Sequence, residues 1–567
     1  MMDTANWKIY PQNTALQEEL ASTLLISKIT AQVLINRGIT NIREADFFLN
    51  GNFNSMHDPF LMKGMDRAVE RVLRAKRDNE KVLVFGDYDA DGITATSVLL
   101  MTLRELGMEP SFYIPNRLTE GYGLNQDVIK KSKEQGFSLL ITVDTGISNF
   151  KEVSFAKEIG LDLIVTDHHI PDKSISEAFA VLNPKQNDCN YPFKELAGVG
   201  IAYKFAMACL GNSCSEYVLN QIIALAAFGT IADVSSLSGE NRILVKTGLD
   251  IMKRNEFPWI SELIRASRLG RKELTAWHIG YILAPMINAA GRLGSANCGV
   301  NLMTTRKREI AEKISSFLDR ENRTRQAMGK EMMSEALERI EKTINLEEDM
   351  VIILSENKWH IGLLGIVASR ISERYRKPVV LIGSNGKGSA RSAVDFNLYE
   401  AFKYSEDCLK GYGGHKSAAG LTIEEKNLKE FSERMNHYGR KKLYGKDLSS
   451  TIWADCQINF KDISFSLIEE IQKLEPFGTS NPEPNFISND VVGESKVVGG
   501  GGEHLKMEMQ QESFSFGSIW FNFKEEGGFK IENNGRNYDV IYSPHINTWN
   551  GREEIQLKIK GIRGKRL

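Results

Sequence analysis

The chain has 567 residues, 42% of them hydrophobic and 25% charged, and a formal net charge of −2. That length is too great for a single core and sets an expectation of three or four domains, and the composition excludes disordered and fibrous classes. A near-neutral balance excludes gross attraction to nucleic acid, so any such contact has to come from a local groove.

The opening Met1-Met2-Asp3-Thr4 is polar and lacks the basic start and apolar core of a secretory signal. The longest apolar stretch, residues 222–232, reads as a buried helix too short to cross a bilayer. A cytoplasmic protein without membrane attachment is therefore expected. Cys189, Cys209, Cys214, Cys298, Cys408 and Cys456 form no Cys-x-x-Cys pair and read as reduced core thiols.

In chain order, residues 1–60 read as a helical segment that loosens at Gly51-Asn52-Phe53-Asn54-Ser55 on the approach to the main domain. A charged helix over 63–81 carries Arg67, Arg71, Arg74, Lys76 and Arg77, as a solvated face or a phosphate track. Short apolar runs at 82–85, 112–114, 139–143, 163–165 and 180–182 then alternate with helical patterns, which predicts a parallel sheet in a domain over 61–305. A long charged helix is predicted as a connector over 306–345, followed by a second α/β domain over 346–445. From 446 to 567 short alternating segments with Gly and Asn turns predict a small β-barrel.

The sharpest motif is Gly86-Asp87-Tyr88-Asp89-Ala90-Asp91-Gly92, three carboxylates at alternate positions directly after an apolar strand. Side by side, ionised carboxylates repel one another strongly, so a fold keeps them together when divalent metal compensates; the bland alternative is an acidic helix cap. A calcium EF-hand loop is set aside, because its terminal Glu is missing and a strand flanks the motif. Thr142-Val143-Asp144-Thr145-Gly146 and Val165-Thr166-Asp167-His168-His169 end the next core strands, and Ala232-Asp233-Val234 adds a further acid. Strand ends of an open parallel sheet converge in one crevice, so these segments predict one site. Carboxylates plus imidazole, without thiolate, favour two Mn²⁺ or Mg²⁺ ions over structural zinc, the arrangement suited to phosphate-ester hydrolysis. Arg117 and Arg292 suit bidentate phosphate recognition, and Gly386-Lys387-Gly388-Ser389-Ala390-Arg391-Ser392 could form an anion pocket.

The triplet Asp167-His168-His169, with the two acidic motifs before it, resembles the DHH phosphoesterase superfamily. Pro115-Asn116-Arg117, Glu120-Gly121-Tyr122-Gly123-Leu124, Asn288-Ala289-Ala290-Gly291-Arg292-Leu293, Gly413-Gly414-His415, Pro476-Phe477-Gly478 and Asn481-Pro482 extend the likeness to the RecJ family of single-strand-specific exonucleases. The resemblance implies a parallel-sheet DHH domain, a DHHA1 domain and an OB-like barrel. It implies Asp89, Asp91, Asp144, His168 and Asp233 as metal ligands, with Asp87 in or just behind that shell. His169 would face the scissile phosphate, stabilising the transition state or protonating the leaving oxygen, and Asp167 would orient the neighbouring imidazole. Arg117, Arg292, Ser389, Arg391 and His415 would hold DNA and its 5′-terminal phosphate.

The activity implied is 5′-to-3′ removal of mononucleotides from single-stranded DNA in recombination and repair, by a monomer working with a helicase and a single-strand-binding protein. Trp520, Phe521 and Trp549 could stack bases or fill the barrel core. The barrel carries 14 Lys and Arg against 18 Asp and Glu, which departs from an electrostatic funnel. Two rival readings are a cyclic-dinucleotide or short-oligonucleotide phosphodiesterase and a scaffold without metals.

Overall fold

The computed structural model describes residues 6–564 except 118, 122, 172–176, 212, 271–273, 294–295, 500, 524–536 and 550. Tyr122, quoted in a motif above, lies outside the described residues, as do the side chains of Leu293 and Trp549.

The described chain opens on a strand, β1 (Asn6–Ile9), where the sequence suggests only helix. Its backbone groups are taken up by parallel pairing with Thr451–Ala454, a partner too distant in sequence for local pattern to show. Helices Thr14–Leu24, Lys28–Asn36 and Ile42–Asn50 follow, each started by a side chain (Asn13, Ser27, Asn41) that accepts a first-turn amide. Their apolar faces, with Leu20, Val33, Leu34 and Phe48, share one core with the C-terminal barrel. The three helices are thus part of the barrel's packing, while the looser stretch after them leads to the first domain, against whose core Phe53 and Met56 pack.

The first sheet holds β2 (Lys81–Gly86), β3 (Ser111–Tyr113), β4 (Phe137–Val143), β5 (Asp162–Thr166) and β6 (Ala180–Leu182), all parallel, in the order β3-β2-β4-β5-β6. Strand side chains alternate between two cores. Val84, Ile141, Val143 and Ile164 join the larger one, and Leu83, Phe85, Leu140, Leu163 and Val165 the smaller. Apolar runs without polar alternation are what a sheet covered on both faces requires.

The connector is one helix of 36 residues, Arg308–Thr343. The second sheet comprises β7 (Ile352–Ser355), β8 (Val379–Ile382), β9 (Lys387–Arg391), β10 (Leu409–Gly414) and β11 (Ala418–Ile423), ordered β10-β11-β9-β8-β7. Only β7 and β8 run parallel there, joined through the helix Ile361–Tyr375.

Beyond β12 (Thr451–Ala454) and β13 (Cys456–Gln457), the strands β14 (Phe486–Val498), β15 (His504–Gln511), β16 (Phe514–Trp520), β17 (Tyr538–Trp549) and β18 (Arg552–Gly564) form a sheet that β14–β17 pairing closes into a barrel. Arg242 fastens this module to the first domain. The buried guanidinium donates to the carbonyls of Phe48 (2.8 Å), Leu474 (2.7 Å) and Lys473 (2.9 Å) and stacks 4.0 Å from the Phe48 ring.

Candidate active site

The chain leaves β2 for β3 on one side of the sheet and returns to β4 on the other, and that reversal opens a crevice at the carboxyl ends of β2 and β4. Asp87 and Asp89 follow β2, and Asp144 follows β4. Asp144 adopts a φ of 59°, a left-handed conformation that Asp tolerates better than most residues and that persists where surroundings over-determine it.

Three overlapping donor sets form here, each with atoms within 4.8 Å of one another: Asp87, Asp89 and Asp144; Asp91, His168 and Asp233; and Asp144, His168 and His169. His168 joins them, with Nε2 3.1 Å from Asp144 Oδ1 and Nδ1 3.9 Å from Asp233 Oδ2. Every metal ligand expected from sequence is therefore in one cluster, and Asp87 belongs to a donor set.

The scaffold fixes these groups from several directions. Asp89 caps the helix Ala90–Glu105 by accepting from Gly92 N (3.0 Å), while Ala90 N donates to Asn288 Oδ1 (2.8 Å). Asp91 accepts from Gly198 N and Val199 N, both 2.8 Å, at the first turn of the helix Gly198–Leu210. That helix end favours negative charge. Gly198 has no room for a side chain, since a Cβ there would lie 2.7 Å from Asp144 Oδ1. Asp233 terminates the helix Glu216–Ala232 and accepts from the hydroxyl of Ser235.

Burial, then mutual repulsion, sets the electrostatics. Asp87 is pushed well above the usual carboxylate range by burial and then by Asp89; Asp91 by burial, Asp144 and Asp233; Asp144 by burial, Asp89 and Asp87. Asp233 is also raised, again chiefly by burial. Asp87 Oδ1 is buried and accepts no hydrogen bond among the described residues. Such a cluster is costly as anions and ill-suited to neutral acids, and divalent cations resolve the conflict. Oxygen donors with one imidazole fit Mn²⁺ or Mg²⁺.

His169 is placed differently from His168, with 44% of its side chain exposed. Its Nδ1 lies 2.7 Å from Asp167 Oδ1, and Asp167 also accepts from His169 N (3.1 Å) and Ile147 N (2.9 Å). Burial alone would raise Asp167, but His169 and these amides outweigh it and hold the carboxyl below its ordinary range.

Beside the cluster stand the arginines. Arg117 stacks 4.9 Å from the Tyr88 ring, and Arg292 Nη1 donates to Gly362 O (3.1 Å). Burial first, then the charges of Arg117, Arg325 and Arg391, push Arg292 down to about 10. Ser389 and Arg391 share one face of β9, where side chains alternate, opposite buried Gly388 and Ala390. His415 is exposed in the β10–β11 turn, and Ala418, the first residue of β11, is the register partner of Arg391.

The sequence reading missed Asn288 as a brace, the Gly198 and Val199 amides, and Arg325 on the connector. A helix start rich in glycine was the available signal for the amides; nothing local marked Arg325. Trp520 is buried in the barrel core and is removed from the base-stacking candidates, because β16 alternation turns it inward. Phe521 is 49% exposed, edge-on to His504 at 5.3 Å.

Comparison with known proteins accords with this geometry. The DHH family N-terminal domain matches residues 81–230, the DHHA1 domain 348–441 and the RecJ OB domain 454–561. The single-stranded-DNA-specific exonuclease RecJ of Bacillus subtilis is 37% identical over 98% of this chain and 70% of its own length. The protein of that name from Dickeya dadantii is 32% identical over 96% and 97%. The crystal structure of Thermus thermophilus RecJ with Mn²⁺ superposes with a TM-score of 0.86 at 28% identity, covering 100% of this chain and 81% of that one. With these matches along its full length, the chain belongs to the RecJ family of the DHH phosphoesterases.

Proposed function

We propose that this protein hydrolyses single-stranded DNA from its 5′ end, releasing 5′-mononucleotides. The carrying observation is the pair of donor sets, Asp87-Asp89-Asp144 and Asp91-His168-Asp233, side by side at the sheet's switch point. Two Mn²⁺ or Mg²⁺ ions held there would supply an activated water and charge stabilisation at the scissile phosphate.

The chain's own residues do the rest. Asp89, Asp91, Asp144, His168 and Asp233 hold the ions, and Asp87 completes the set. Asp167 accepts the Nδ1 proton of His169, which fixes the imidazole tautomer and leaves Nε2 for the substrate. As the imidazolium, held by the Asp167 carboxylate, His169 directs its Nε2 proton at the phosphate, stabilising charge there or protonating the departing 3′ oxygen. Arg117, Arg292, Ser389 and Arg391 hold the terminal 5′-phosphate, and His415 lines the strand's path. A terminal phosphate seated there sets the first linkage at the ions, which gives the direction of digestion.

The domain division at residues 60, 305, 345 and 445 belongs to this reading, with the barrel extending the strand's track. Action as a monomer in the cytoplasm, in recombination and repair, beside a helicase and a single-strand-binding protein, completes it. No helix among the described residues is long and apolar enough to cross a membrane.

Timed digestion of end-labelled single strands, with and without Mn²⁺, tests the proposal. A 5′-phosphorylated, 3′-blocked strand should shorten from the 5′ end only when metal is present. Shortening from the 3′ end, or equal activity in EDTA, would sink it.

A further inference from the structure

The arginine cluster is larger than one terminal phosphate requires. Arg292 meets Gly362 at the first turn of the helix Ile361–Tyr375. Further along, Gly365 lies against Arg391, so closely that a Cβ would sit 2.7 Å from Nη2. Gly365, Ile366, Ser369 and Arg370 form the accessible face of this helix, with Leu363, Leu364, Val367 and Ala368 buried behind. At 1.5 Å per residue, Arg370 stands about 12 Å beyond Gly362.

The connector helix packs alongside and contributes Arg325, half-buried, whose Nε donates to Asn322 Oδ1 (3.0 Å) and whose two Nη groups remain. Two other arginines of the connector are neutralised, Arg323 by Asp319 and Arg339 by Glu335 and Glu356. Among the described residues, no ion pair joins Arg117, Arg292, Arg325, Arg370 or Arg391 to a carboxylate. Burial, then the charge of Arg370, depresses Arg325, and burial, then Arg117, depresses Arg391.

Arg292, Arg325 and Arg391, gathered and partly desolvated without an ion pair among the described residues, call for an anion, and exposed Arg370 adds charge at the open end. A phosphomonoester carries about −1.5 to −2 at neutral pH. Arg117, Arg292 and Arg391 already match it, which leaves Arg325 and Arg370 in excess.

We infer that the phosphate site continues from Arg292 and Arg391 onto the packed pair formed by the connector and the helix Ile361–Tyr375, where Arg325 and Arg370 form a second anion subsite for the outer phosphates of a 5′-polyphosphorylated strand. This rests on the reading of Arg117, Arg292 and Arg391 as ligands of the innermost terminal phosphate. A triphosphate end then enters with its first phosphate in the inner pocket and the outer two on Arg325 and Arg370. Digestion of such an end needs no prior trimming.

The test uses 3′-labelled single strands bearing a 5′-hydroxyl, monophosphate or triphosphate, with binding followed by fluorescence anisotropy in EDTA and digestion followed with Mn²⁺. The wild-type protein should bind the triphosphate strand at least as tightly as the monophosphate strand. Arg325→Ala and Arg370→Ala should each weaken triphosphate binding about tenfold or more, and monophosphate binding less than about twofold. Arg370 is exposed, so its variant tests the idea even where Arg325→Ala disturbs folding. Equal losses on all three ends would mean that these arginines grip ordinary backbone phosphates, and the subsite would be discarded. A wild-type protein that treats triphosphate like hydroxyl would discard it as well. Arg117→Ala separates this from the parent reading: if it left the monophosphate preference intact, the inner pocket itself would be wrong.

Discussion

Nδ1 of His169 lies 2.7 Å from Oδ1 of Asp167, within a carboxylate cradle closed by two backbone amides. The adjacent His168 turns the other way, its Nε2 3.1 Å from Asp144. Neighbouring imidazoles thus receive separate tasks from the strand end that carries them. Asp167→Asn keeps the size but removes the charge that orients His169. We expect kcat to fall about 10–100-fold, with KM and Mn²⁺ affinity nearly unchanged. Steady-state kinetics beside a manganese titration checks this; a parallel collapse of metal affinity would make Asp167 a ligand instead.

Metal dependence should carry a pH signature. Asp87, Asp91 and Asp144 lie above their ordinary value of 3.8. Between 3.8 and those raised values the folded, metal-free chain binds more protons than the unfolded chain, so its stability falls as pH rises. Mn²⁺ replaces the protons and binds better as they leave. The gap in Tm between Mn²⁺-loaded and EDTA-treated protein should therefore widen from pH 5 to pH 8. At a hundredfold excess over Kd the metal adds about 2.7 kcal/mol. A gap that narrows with pH would contradict the raised carboxyls.

Much of this was readable in the sequence, for a physical reason. β2, β4 and β5 are buried on both faces, so they appear as unbroken apolar runs, and the acids at their ends stand out against them. What was hidden depends on contacts between distant segments. Leu20, Val33 and Phe48 look like any amphipathic helix face, and nothing local says that their core lies more than 400 residues away in the barrel. Arg325 sits in a helix crowded with charge, and only the packing of the connector against the helix Ile361–Tyr375 distinguishes it from its solvated neighbours. Trp520 and Phe521 are adjacent in sequence, yet Trp520 ends β16 facing the core while Phe521 stands exposed in the turn beyond it.

Gly198 couples backbone to chemistry. Its amide holds Asp91 at 2.8 Å, and its missing side chain leaves space for Asp144. Gly198→Ala forces Asp144 or the helix start to shift, because the added Cβ would sit 2.7 Å from Oδ1. The expected cost is about 1–3 kcal/mol of stability with at least a tenfold loss of Mn²⁺ affinity. Electron paramagnetic resonance titration with thermal unfolding separates the two effects. Lower stability with unchanged manganese binding would show that the glycine serves packing alone.

Arg292 tests whether charge or shape selects the strand's end. Its guanidinium sits between Gly362 O and the other arginines, and burial together with their charge holds it at about 10, still protonated at neutral pH. A planar fork can make paired hydrogen bonds to phosphate that an ammonium cannot. Arg292→Lys keeps the charge and loses the fork, so KM for a 5′-phosphorylated strand should rise about tenfold while a 5′-hydroxyl strand changes little. Arg292→Met removes the charge too and should reduce the preference for phosphate further. If lysine performed as well as arginine, the pocket would be acting as a point charge, and the two-pronged grip on the terminal phosphate would be wrong.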